Sequence, residues 1–313
     1  MWKEALSDCL LGHHLESRVG KCHETIGYAG QLINIDGNWL TNERRALSPA
    51  YAAAEFLWYM SREGNITMLK EYAPSYIEYA EPDGKAFGAY GSRLAGNLDH
   101  GDLLEEVIKH LRDTPMTRQA VISLWKASDL VHAITGVVKD IPCTISWQFL
   151  RRKGELHMIT NMRSNDVWKG MPYDVFVFTC IQHMLAGELS LRTGSYTHIA
   201  GSMHLYDKNR DAAVEALTAT SPDLYHNWEA PTGEREMLEM VKTEKLIREL
   251  PDHPSPHHWV AQGDMADDML RCIHSHYEPN PECIDFQSPA LSHGVHVHAD
   301  HRRKRSSGKN DIV

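Results

Sequence analysis

The stretch IPCTISWQFLRRKGELHMITNMRSNDVWKGMPYDVFVF, residues 141–178, decides the fold. Residues 144–150 and 156–162 have the β-branched and aromatic content of strands. From Tyr173 to Leu185 the apolar residues run nearly unbroken, which predicts a central buried helix. The stretch therefore predicts two strands followed by a buried helix.

The same stretch carries a candidate nucleophile. Cys143 follows Pro142 at the mouth of the first strand, and a thiol near an arginine can be held as the reactive thiolate. Arg163 and Ser164 offer a guanidinium and a hydroxyl, a natural pair for phosphate oxygens. Each signal is weak alone, since a lone Pro-Cys is more often structural and Arg163 also fits a surface ion pair. Cys180, within the apolar helix, is expected to be inert.

Two carboxylates and a polar pair complete the candidate site. Asp166 and Asp174 lie eight residues apart, and Asp174 is embedded in the apolar run. A buried carboxylate without a partner is costly, so Asp174 indicates either a task or a buried partner. His204 and Tyr206 alternate on one face of a predicted strand, where both can reach a sugar hydroxyl, although His204 also fits a core histidine.

The rest of the chain gives weaker signals for its elements. Spacing and capping residues predict helix 1–24, a hairpin over 26–40 around Asp36-Gly37, a buried helix opened by Ser48 and Pro49, helix 101–112 and strand 117–125.

Composition narrows the class of protein. The 313 residues are 42% hydrophobic and 24% charged, which is typical of a globular chain. A net charge of -10 disfavours a non-specific nucleic-acid binder. No apolar run is long enough to span a bilayer, the N-terminus lacks the order of a secretion signal, and the six cysteines form no C-x-x-C pair. We expect a reduced, cytoplasmic enzyme or binding protein that has no membrane partner.

The composition of the chain changes near residue 230, after which histidines and basic residues are concentrated. Nine of the 20 histidines fall between His253 and His301, and the chain closes on HRRKRSSGKNDIV. We expect a folded catalytic domain over 1–230, an irregular His-rich appendage over 231–300 and a basic flexible tail over 301–313. The spacing of Cys272, His274, His276 and Cys283 matches no standard zinc pattern, so we expect no metal.

A series of motifs in one order resembles the thymidylate synthase superfamily between Arg18 and Asn209. The motifs are EFLWYM around Glu55, FGAYGSRL around Tyr90, PMTRQAVISLW around Arg118, PC at Cys143, QFL at Gln148, RSND, KGMPYD and GSMHLY. The resemblance implies an α+β fold with a mixed β-sheet packed by helices, in a sheet-to-sheet homodimer. It also implies a pyrimidine nucleotide monophosphate as substrate and 5,10-methylenetetrahydrofolate as co-substrate.

The resemblance also implies residue roles. Cys143 would add to C6 of the ring, Glu55 would organise water for proton transfers, and Tyr90 would belong to the water network around the cysteine. The implied nucleotide-binding residues are Arg18, Arg163, Ser164 and Asn165, His204 and Tyr206 at the sugar, and Arg118 of the partner subunit at the phosphate. The implied folate-binding residues are Asp166, Tyr76, Trp168 and Gly170.

Asp174 stands where the methylating members carry asparagine. Cytosine presents an acceptor at N3 and a donor at N4, and a protonated carboxyl can donate to the first and accept from the second. Mispairing would leave buried polar groups unsatisfied at ~1–3 kcal/mol each. Because apolar neighbours raise the pKa of a carboxyl, Asp174 predicts cytosine as the base.

Further differences from the methylating members of the family concern the last step of the reaction, after the one-carbon unit has been transferred. Thr144 replaces the usual histidine after the cysteine, Ser202 replaces a common aspartate, and Tyr76 and Tyr79 replace shielding tryptophans; the first two are similar to the phage deoxycytidylate hydroxymethylases. Water rather than hydride would then complete the reaction and give 5-hydroxymethyl-dCMP for modified phage DNA precursors, in the host cytoplasm.

Several readings stay open from the sequence alone. A dCMP 5-methyltransferase, a dUMP 5-hydroxymethyltransferase or thymidylate synthase, and a catalytically inactive binding relative remain as alternatives. The family's double arginine is reduced to Arg118-Gln119, and residues 210–313 match no recognisable motif.

Overall fold

Six strands form one mixed sheet at the centre of the fold. The computed structural model describes residues 1–17, 19–96, 101–226, 228, 233–250 and 264–306. The sheet has the order β1-β2-β6-β5-β4-β3. The strands are β1 His13–Ser17, β2 Gly20–Leu32, β3 Val121–Ser123, β4 Thr144–Arg152, β5 Glu155–Asp166 and β6 Arg192–Tyr206. β5 and β6 run parallel, and the other neighbouring pairs are antiparallel.

Helices pack against this sheet and against one another. They are α1 Trp2–Leu11, α2 Pro49–Met60, α3 Thr67–Tyr72, α4 Tyr90–Leu94, α5 Leu103–Asp113, α6 Ala127–Thr135, α7 Met171–Glu188, α8 Arg210–Thr218, α9 Glu234–Glu249, α10 Asp264–Ser275 and α11 Pro289–Ser306. The predicted α+β class, a mixed sheet packed with helices, is confirmed. None of the described helices is both long and apolar enough to cross a bilayer.

The central stretch folds as its pattern predicts. Both predicted strands form, as β4 and β5, and the apolar run forms α7, which starts at Met171 and ends at Glu188. One buried polar side chain fastens this helix to the two parallel strands, because Gln182 Nε2 donates to the carbonyl oxygens of Leu156 (2.8 Å) and Gly194 (3.0 Å). The first of these carbonyls lies on β5 and the second on β6, so α7 is held over their junction.

The N-terminal predictions were wrong in two places. The helix predicted over 1–24 ends at Leu11, since β2 passes so close that a Cβ at Gly12 would lie 2.2 Å from the carbonyl oxygen of Glu24. Asp36 and Gly37 lie in a 3-10 turn rather than at a hairpin tip. Segment 20–32 instead pairs with β6, a partner distant in sequence that local spacing does not reveal.

The helix opened by Ser48 and Pro49 is confirmed as α2. Ser48 Oγ accepts a hydrogen bond from Tyr51 N at 3.2 Å, and Pro49 occupies the first turn, where no amide hydrogen is needed. α2 is buried nearly all round, between α7 and the C-terminal helices α9 and α10.

Helix 101–112 is confirmed as α5, but the strand predicted over 117–125 is shorter. Only Val121–Ser123 pairs with a neighbour, as the edge strand β3 against β4. The polar residues before it form a turn in which Gln119 N donates to Thr117 Oγ1 at 3.0 Å. This side-chain bond satisfies a backbone amide that a longer strand would have paired.

The segment after residue 230 is not irregular where the structure describes it. Its described residues form α9, α10 and α11, and all three contact α2. Their apolar side chains are spaced by helical turns, but they are few among the charged residues of α9 and the charged residues and histidines of α10 and α11, so the helical pattern is weak in the sequence. Residues 301–306, predicted as tail, continue α11, while 307–313 lie outside the described residues. The division of the chain at residue 230 stays a prediction.

Candidate active site

Cys143 lies directly before β4 with its thiol half-buried. The neighbouring amide, Thr144 N, donates to Tyr90 Oη at 3.0 Å, which anchors Tyr90 beside the cysteine. Burial raises the pKa of Cys143 to about 11, and the positive charge of Arg163 lowers it only in part. The lowering of the thiol pKa by Arg163, expected from the sequence, is therefore present but smaller than the rise caused by burial. The resting sulfur is a thiol.

Arg163 is tied to the segment that carries the nucleophile. Its Nε donates to the carbonyl oxygen of Pro142 and a terminal nitrogen to that of Ile141, both at 2.9 Å. Its guanidinium also lies 5.8 Å from the ring centroid of Trp125. These contacts fix the loop before Cys143, and the phosphate role of Arg163 stays a prediction.

Glu55 lies on α2 and is buried. Tyr51 Oη donates to its Oε1 at 2.9 Å, whereas Oε2 is buried without a hydrogen-bond partner among the described residues. Burial and the negative charge of Asp174 raise the pKa of Glu55 to about 8. Glu55 is therefore mainly protonated at neutral pH.

Asp174 lies in the first turn of α7. Its negative charge contributes to the raised pKa values of both Glu55 and Cys143, so the three side chains are near enough to interact electrostatically. Burial raises the pKa of Asp174 itself to about 7, opposed by a hydrogen bond from Asn165 Nδ2 to Oδ2 at 2.7 Å. The direction of this shift is the one expected from its apolar neighbours.

The polar residues predicted at the nucleotide lie on adjacent strand ends. Asp166 on β5 is paired in register with His204 on β6, and Ser164 Oγ lies 3.3 Å from His204 Nδ1. The rings of His204 and Tyr206 meet edge to face at 5.1 Å. The structure thus brings Ser164, His204 and Tyr206 together, as the alternation predicted.

Two further phosphate ligands were predicted, Arg18 and Arg118. Arg18 lies outside the described residues. Arg118 is exposed in the turn before β3, where its carbonyl oxygen accepts from Gln148 Nε2 at 2.9 Å. A side chain exposed in this way suits a contribution to a second copy of the chain, which stays a prediction.

The predicted folate residues form two groups. Tyr76 packs edge to face on Trp58 at 5.7 Å and contacts Tyr79 at 5.2 Å, so an aromatic wall exists there. Asp166 Oδ1 accepts from the backbone amides of Trp168 (2.8 Å) and Lys169 (2.9 Å), which closes the turn ahead of α7.

Gly170 ends that turn where no side chain would fit. A Cβ there would lie 2.9 Å from Asn165 Nδ2 and 3.2 Å from Asp174 Oδ2. The glycine therefore permits the close approach of Asn165 to Asp174, a role that differs from the predicted folate contact.

Sequence reasoning missed two buried residues on β6. His198 Nε2 lies 3.0 Å from Asn165 Oδ1, and Tyr196 Oη lies 2.8 Å from His198 Nδ1. Both side chains are fully buried, and burial lowers the pKa of His198 to about 4. Their alternation along β6 was the available signal, but it also fits ordinary core packing.

One group of metal-ligating side chains occurs among the described residues, and it lies elsewhere. His14 Nε2 and His23 Nδ1 lie 3.0 and 3.2 Å from the two carboxylate oxygens of Asp207. Cys272 and His274 are buried on α10, whereas Cys283 is exposed. A cavity of about 840 Å³ between residues 62–65 and 81–87 contains none of the predicted site residues.

A comparison with known families adds an independent finding. A family model described as thymidylate synthase matches residues 14–246. The matched region starts in β1, ends within α9 and includes every predicted site residue. It extends past Asn209, where recognisable motifs end, and spans well over half of the chain.

Proposed function

Because the chain belongs to the thymidylate synthase family, we propose that it converts dCMP to 5-hydroxymethyl-dCMP. Members of this family transfer a one-carbon unit from methylenetetrahydrofolate to a pyrimidine nucleotide, and the chain is a one-carbon transferase of that kind. The proposed balance is methylenetetrahydrofolate, dCMP and water giving 5-hydroxymethyl-dCMP and tetrahydrofolate. Folate is released as tetrahydrofolate and water supplies the hydroxyl group, so the conversion needs no further oxidant or reductant.

Cys143 is the proposed nucleophile. Its sulfur bonds to C6 of the ring as the thiol proton leaves, and the electron pair of the C5–C6 bond makes C5 nucleophilic. After C5 takes the one-carbon unit, its proton leaves and the bond to folate breaks. Water then adds to the exocyclic carbon, and departure of the sulfur restores the ring. The raised pKa of Cys143 means that this proton must move during the attack.

Glu55 is the proposed acid and base for these transfers. Its raised pKa keeps a proton available at neutral pH, and its unpartnered Oε2 can hold a water molecule. Thr144 Oγ1, next to Cys143, is also buried without a partner among the described residues. A buried hydroxyl without a partner can hold a water molecule, and water held near the nucleophile supports the proposal of hydroxymethylation over hydride transfer.

The observation that carries the choice of base is the state of Asp174. A carboxyl with a pKa of about 7 beside Cys143 is available in its neutral form near neutral pH. In that form it donates to N3 of cytosine and accepts from the N4 amino group. Uracil reverses both groups, so it would meet a donor with a donor and lose at least one hydrogen bond.

The remaining residues bind the two substrates. Arg163 and Ser164 are proposed to hold the phosphate with Arg18, while His204 and Tyr206 bind the sugar. Asp166, Trp168 and the wall formed by Tyr76 would receive the folate, since aromatic rings suit a flat pterin. Both substrates are cytoplasmic nucleotides or coenzymes, which supports the cytoplasm, that of the host for a phage gene, as the place of action.

A homodimer is proposed to complete the site. Large apolar side chains are exposed on three strands of the sheet: Ile26 on β2, Val121 on β3 and Ile145 on β4. Exposed apolar side chains on one sheet are typical of an interaction surface. A second copy against it would cover them and bring its Arg118 toward the phosphate.

Mass analysis of products tests the proposal. The enzyme is incubated with methylenetetrahydrofolate and dCMP, CMP or dUMP. We expect a hydroxymethyl product from dCMP, and Asp174→Asn should shift preference toward dUMP. A methyl product, with dihydrofolate released, would indicate a dCMP methyltransferase instead. Absence of any product, and of an adduct at Cys143 with a 5-fluoro nucleotide, would indicate a binding protein.

A further inference from the structure

A line of three buried side chains ends on the carboxyl of Asp174. From β6, Tyr196 Oη contacts His198 Nδ1 at 2.8 Å, and His198 Nε2 contacts Asn165 Oδ1 at 3.0 Å. Asn165 Nδ2 then reaches Asp174 Oδ2 at 2.7 Å. Asn165 is 4% exposed, and Tyr196 and His198 are fully buried, so the two bonds made by His198 are shielded from solvent.

The chemistry of each group fixes the direction of the line. Asn165 presents its carbonyl oxygen to His198, so Nε2 must carry the hydrogen and donate. His198 is buried, its pKa is lowered to about 4, and it is neutral with one N–H. Nδ1 is therefore an acceptor and takes the hydroxyl hydrogen of Tyr196. Every bond then donates toward Asp174.

The opposite direction fails when Asp174 is ionised. A reversed Asn165 amide would turn its carbonyl oxygen to Asp174 Oδ2, and two acceptors would face each other at 2.7 Å unless Oδ2 carried a proton. The observed direction satisfies both protonation states, because an amide N–H can donate to a carboxylate and to a carbonyl oxygen alike. Titration of Asp174 therefore leaves the line intact.

We propose that Tyr196, His198 and Asn165 are positioning residues that fix the proton of neutral Asp174 on Oδ1 and thereby set its preference for cytosine. Because Oδ2 is engaged as an acceptor by Asn165, the acid proton belongs on Oδ1 and points away from the line. Gly170, which has no side chain, leaves the space in which Asn165 approaches Asp174. The inference rests on the proposed function, in which that proton is donated to N3 of cytosine.

Other titratable groups outside the line also interact with Asp174 and must be held constant in any test. They are Glu55 and Tyr59 on α2, Asp166 at the end of β5, Cys143 before β4 and Tyr90 on α4. None of the variants below changes one of these groups, so a change in the titration of Asp174 reports on the line itself.

The direct test is the titration of Asp174 in the free protein. Carbon-13 NMR of carboxyl-labelled aspartate follows the signal that Asp174→Asn removes. His198→Phe fills the space but removes both bonds, so the Asn165 amide is no longer held and the titration midpoint should rise by about one pH unit. Tyr196→Phe should raise it less, and His198→Gln, which keeps an N–H for Asn165, should restore it in part.

A matched control is Tyr28→Phe, which removes a hydroxyl of a buried side chain on the same sheet; among the described residues this hydroxyl donates one hydrogen bond, to the Met1 carbonyl oxygen at 3.4 Å. It should leave the midpoint unchanged. The preference for dCMP over dUMP should fall about tenfold in His198→Phe and remain as in the wild type in the control.

Two failures are distinguishable. If Asp174→Asn switches the preference but His198→Phe leaves both midpoint and preference at their wild-type values, the line plays no part and the proposed function stands. If the wild-type protein does not prefer dCMP, the proposed function fails, and the specificity part of this inference fails with it. The midpoint measured without ligand still decides whether the line controls the protonation of Asp174.

Discussion

Asp174 is a residue kept at a cost to stability. In an unfolded chain its pKa is near 3.8, and burial raises it to about 7 in the folded protein. The folded form therefore holds a proton that the unfolded form releases at neutral pH. Native Asp174 opposes folding wherever pH exceeds its unfolded pKa, which is the usual sign of a group retained for chemistry.

Replacement of Asp174 by asparagine should stabilise the free protein. Asparagine does not titrate, and its side-chain oxygen can still accept from Asn165. The free energy of unfolding of Asp174→Asn should exceed that of the wild type by roughly 2–4 kcal/mol at pH 8, after allowance for partial exposure. The gain should be small near pH 4 and vanish below it, because the aspartate becomes protonated in both states as the pH falls below its unfolded pKa. Urea denaturation at both pH values measures this.

The control for this prediction is Asp113→Asn, which changes an exposed carboxylate at the end of α5. Its effect on the free energy of unfolding should be small, as for most exposed substitutions. Equal gains for Asp174→Asn at pH 4 and pH 8 would contradict the assignment of a raised pKa to Asp174.

Binding of dCMP should weaken above neutral pH. The proposed base pairing needs neutral Asp174, whose fraction falls tenfold per pH unit above a pKa of about 7. Calorimetry should show the Kd of dCMP rising between pH 7 and pH 9 and approaching about tenfold per unit. Glu55 titrates nearby, with a pKa of about 8, so the series is repeated in Glu55→Gln. A flat profile in both proteins would contradict protonated Asp174 as the cytosine ligand.

At the scale of elements, the sequence predicted correctly those helices whose position depends on contacts between residues close together in the chain. Ser48 and Pro49 specified the start of α2 because an N-cap needs only the next three residues. The apolar run after Tyr173 specified α7 because apolar residues on every side of a helix indicate a buried helix, and that pattern lies within the segment itself. The true end of α1 at Gly12 depended on the approach of β2, and the place of β2 depended on its pairing with β6. Neither contact has a local signal.

The candidate site divides in the same way. Cys143, Asp174 and His204 were found because their residue types and motifs stand out in the sequence. Tyr196 and His198 were not found, because a residue that acts through another carries no signature of its own. The pKa of Cys143 was misjudged since the arginine was visible in sequence but the depth of burial was not.

The cap of α2 should contribute to both stability and the site. Ser48→Ala removes the bond that Ser48 Oγ accepts from Tyr51 N and should lower the free energy of unfolding by about 1 kcal/mol. Tyr51 also donates a hydrogen bond to Glu55, so the initial rate of 5-hydroxymethyl-dCMP formation should fall together with the stability. Ser61→Ala, at the other end of α2, is the control, because Ser61 Oγ donates to the carbonyl oxygen of Trp58 and accepts from Glu63 N, and neither bond involves Tyr51. Equal losses in rate for the two variants would argue against a specific effect through Tyr51.

At the scale of the whole molecule, the C-terminal helices close over the helix that carries Glu55. α10 packs on α2, and buried Asp268 on α10 accepts from Trp228 Nε1 and from Gln287 N, both at 2.8 Å. These bonds join segments that lie before and after α10. The region that matched no motif in the sequence is therefore continuous with the core and supports the back of the site.

The proposed dimer makes the most demanding prediction, because it requires two chains to share one site. Arg118→Ala removes the exposed guanidinium before β3, and Cys143→Ser removes the nucleophile, so each variant alone should be inactive or nearly so. In a mixed dimer, one site combines an intact Cys143 with an intact Arg118 from the other chain, while the second site lacks both. Random exchange makes half of the dimers mixed, so activity should return to about a quarter of the wild-type value.

Activity is measured after the two variants are unfolded together and refolded, with each variant refolded alone as the control. If the mixture is no more active than its parts, although sedimentation shows dimers, Arg118 does not act across the interface. If sedimentation shows only monomers while the wild type is active, the exposed apolar face of the sheet is not a dimer surface and each chain holds a complete site.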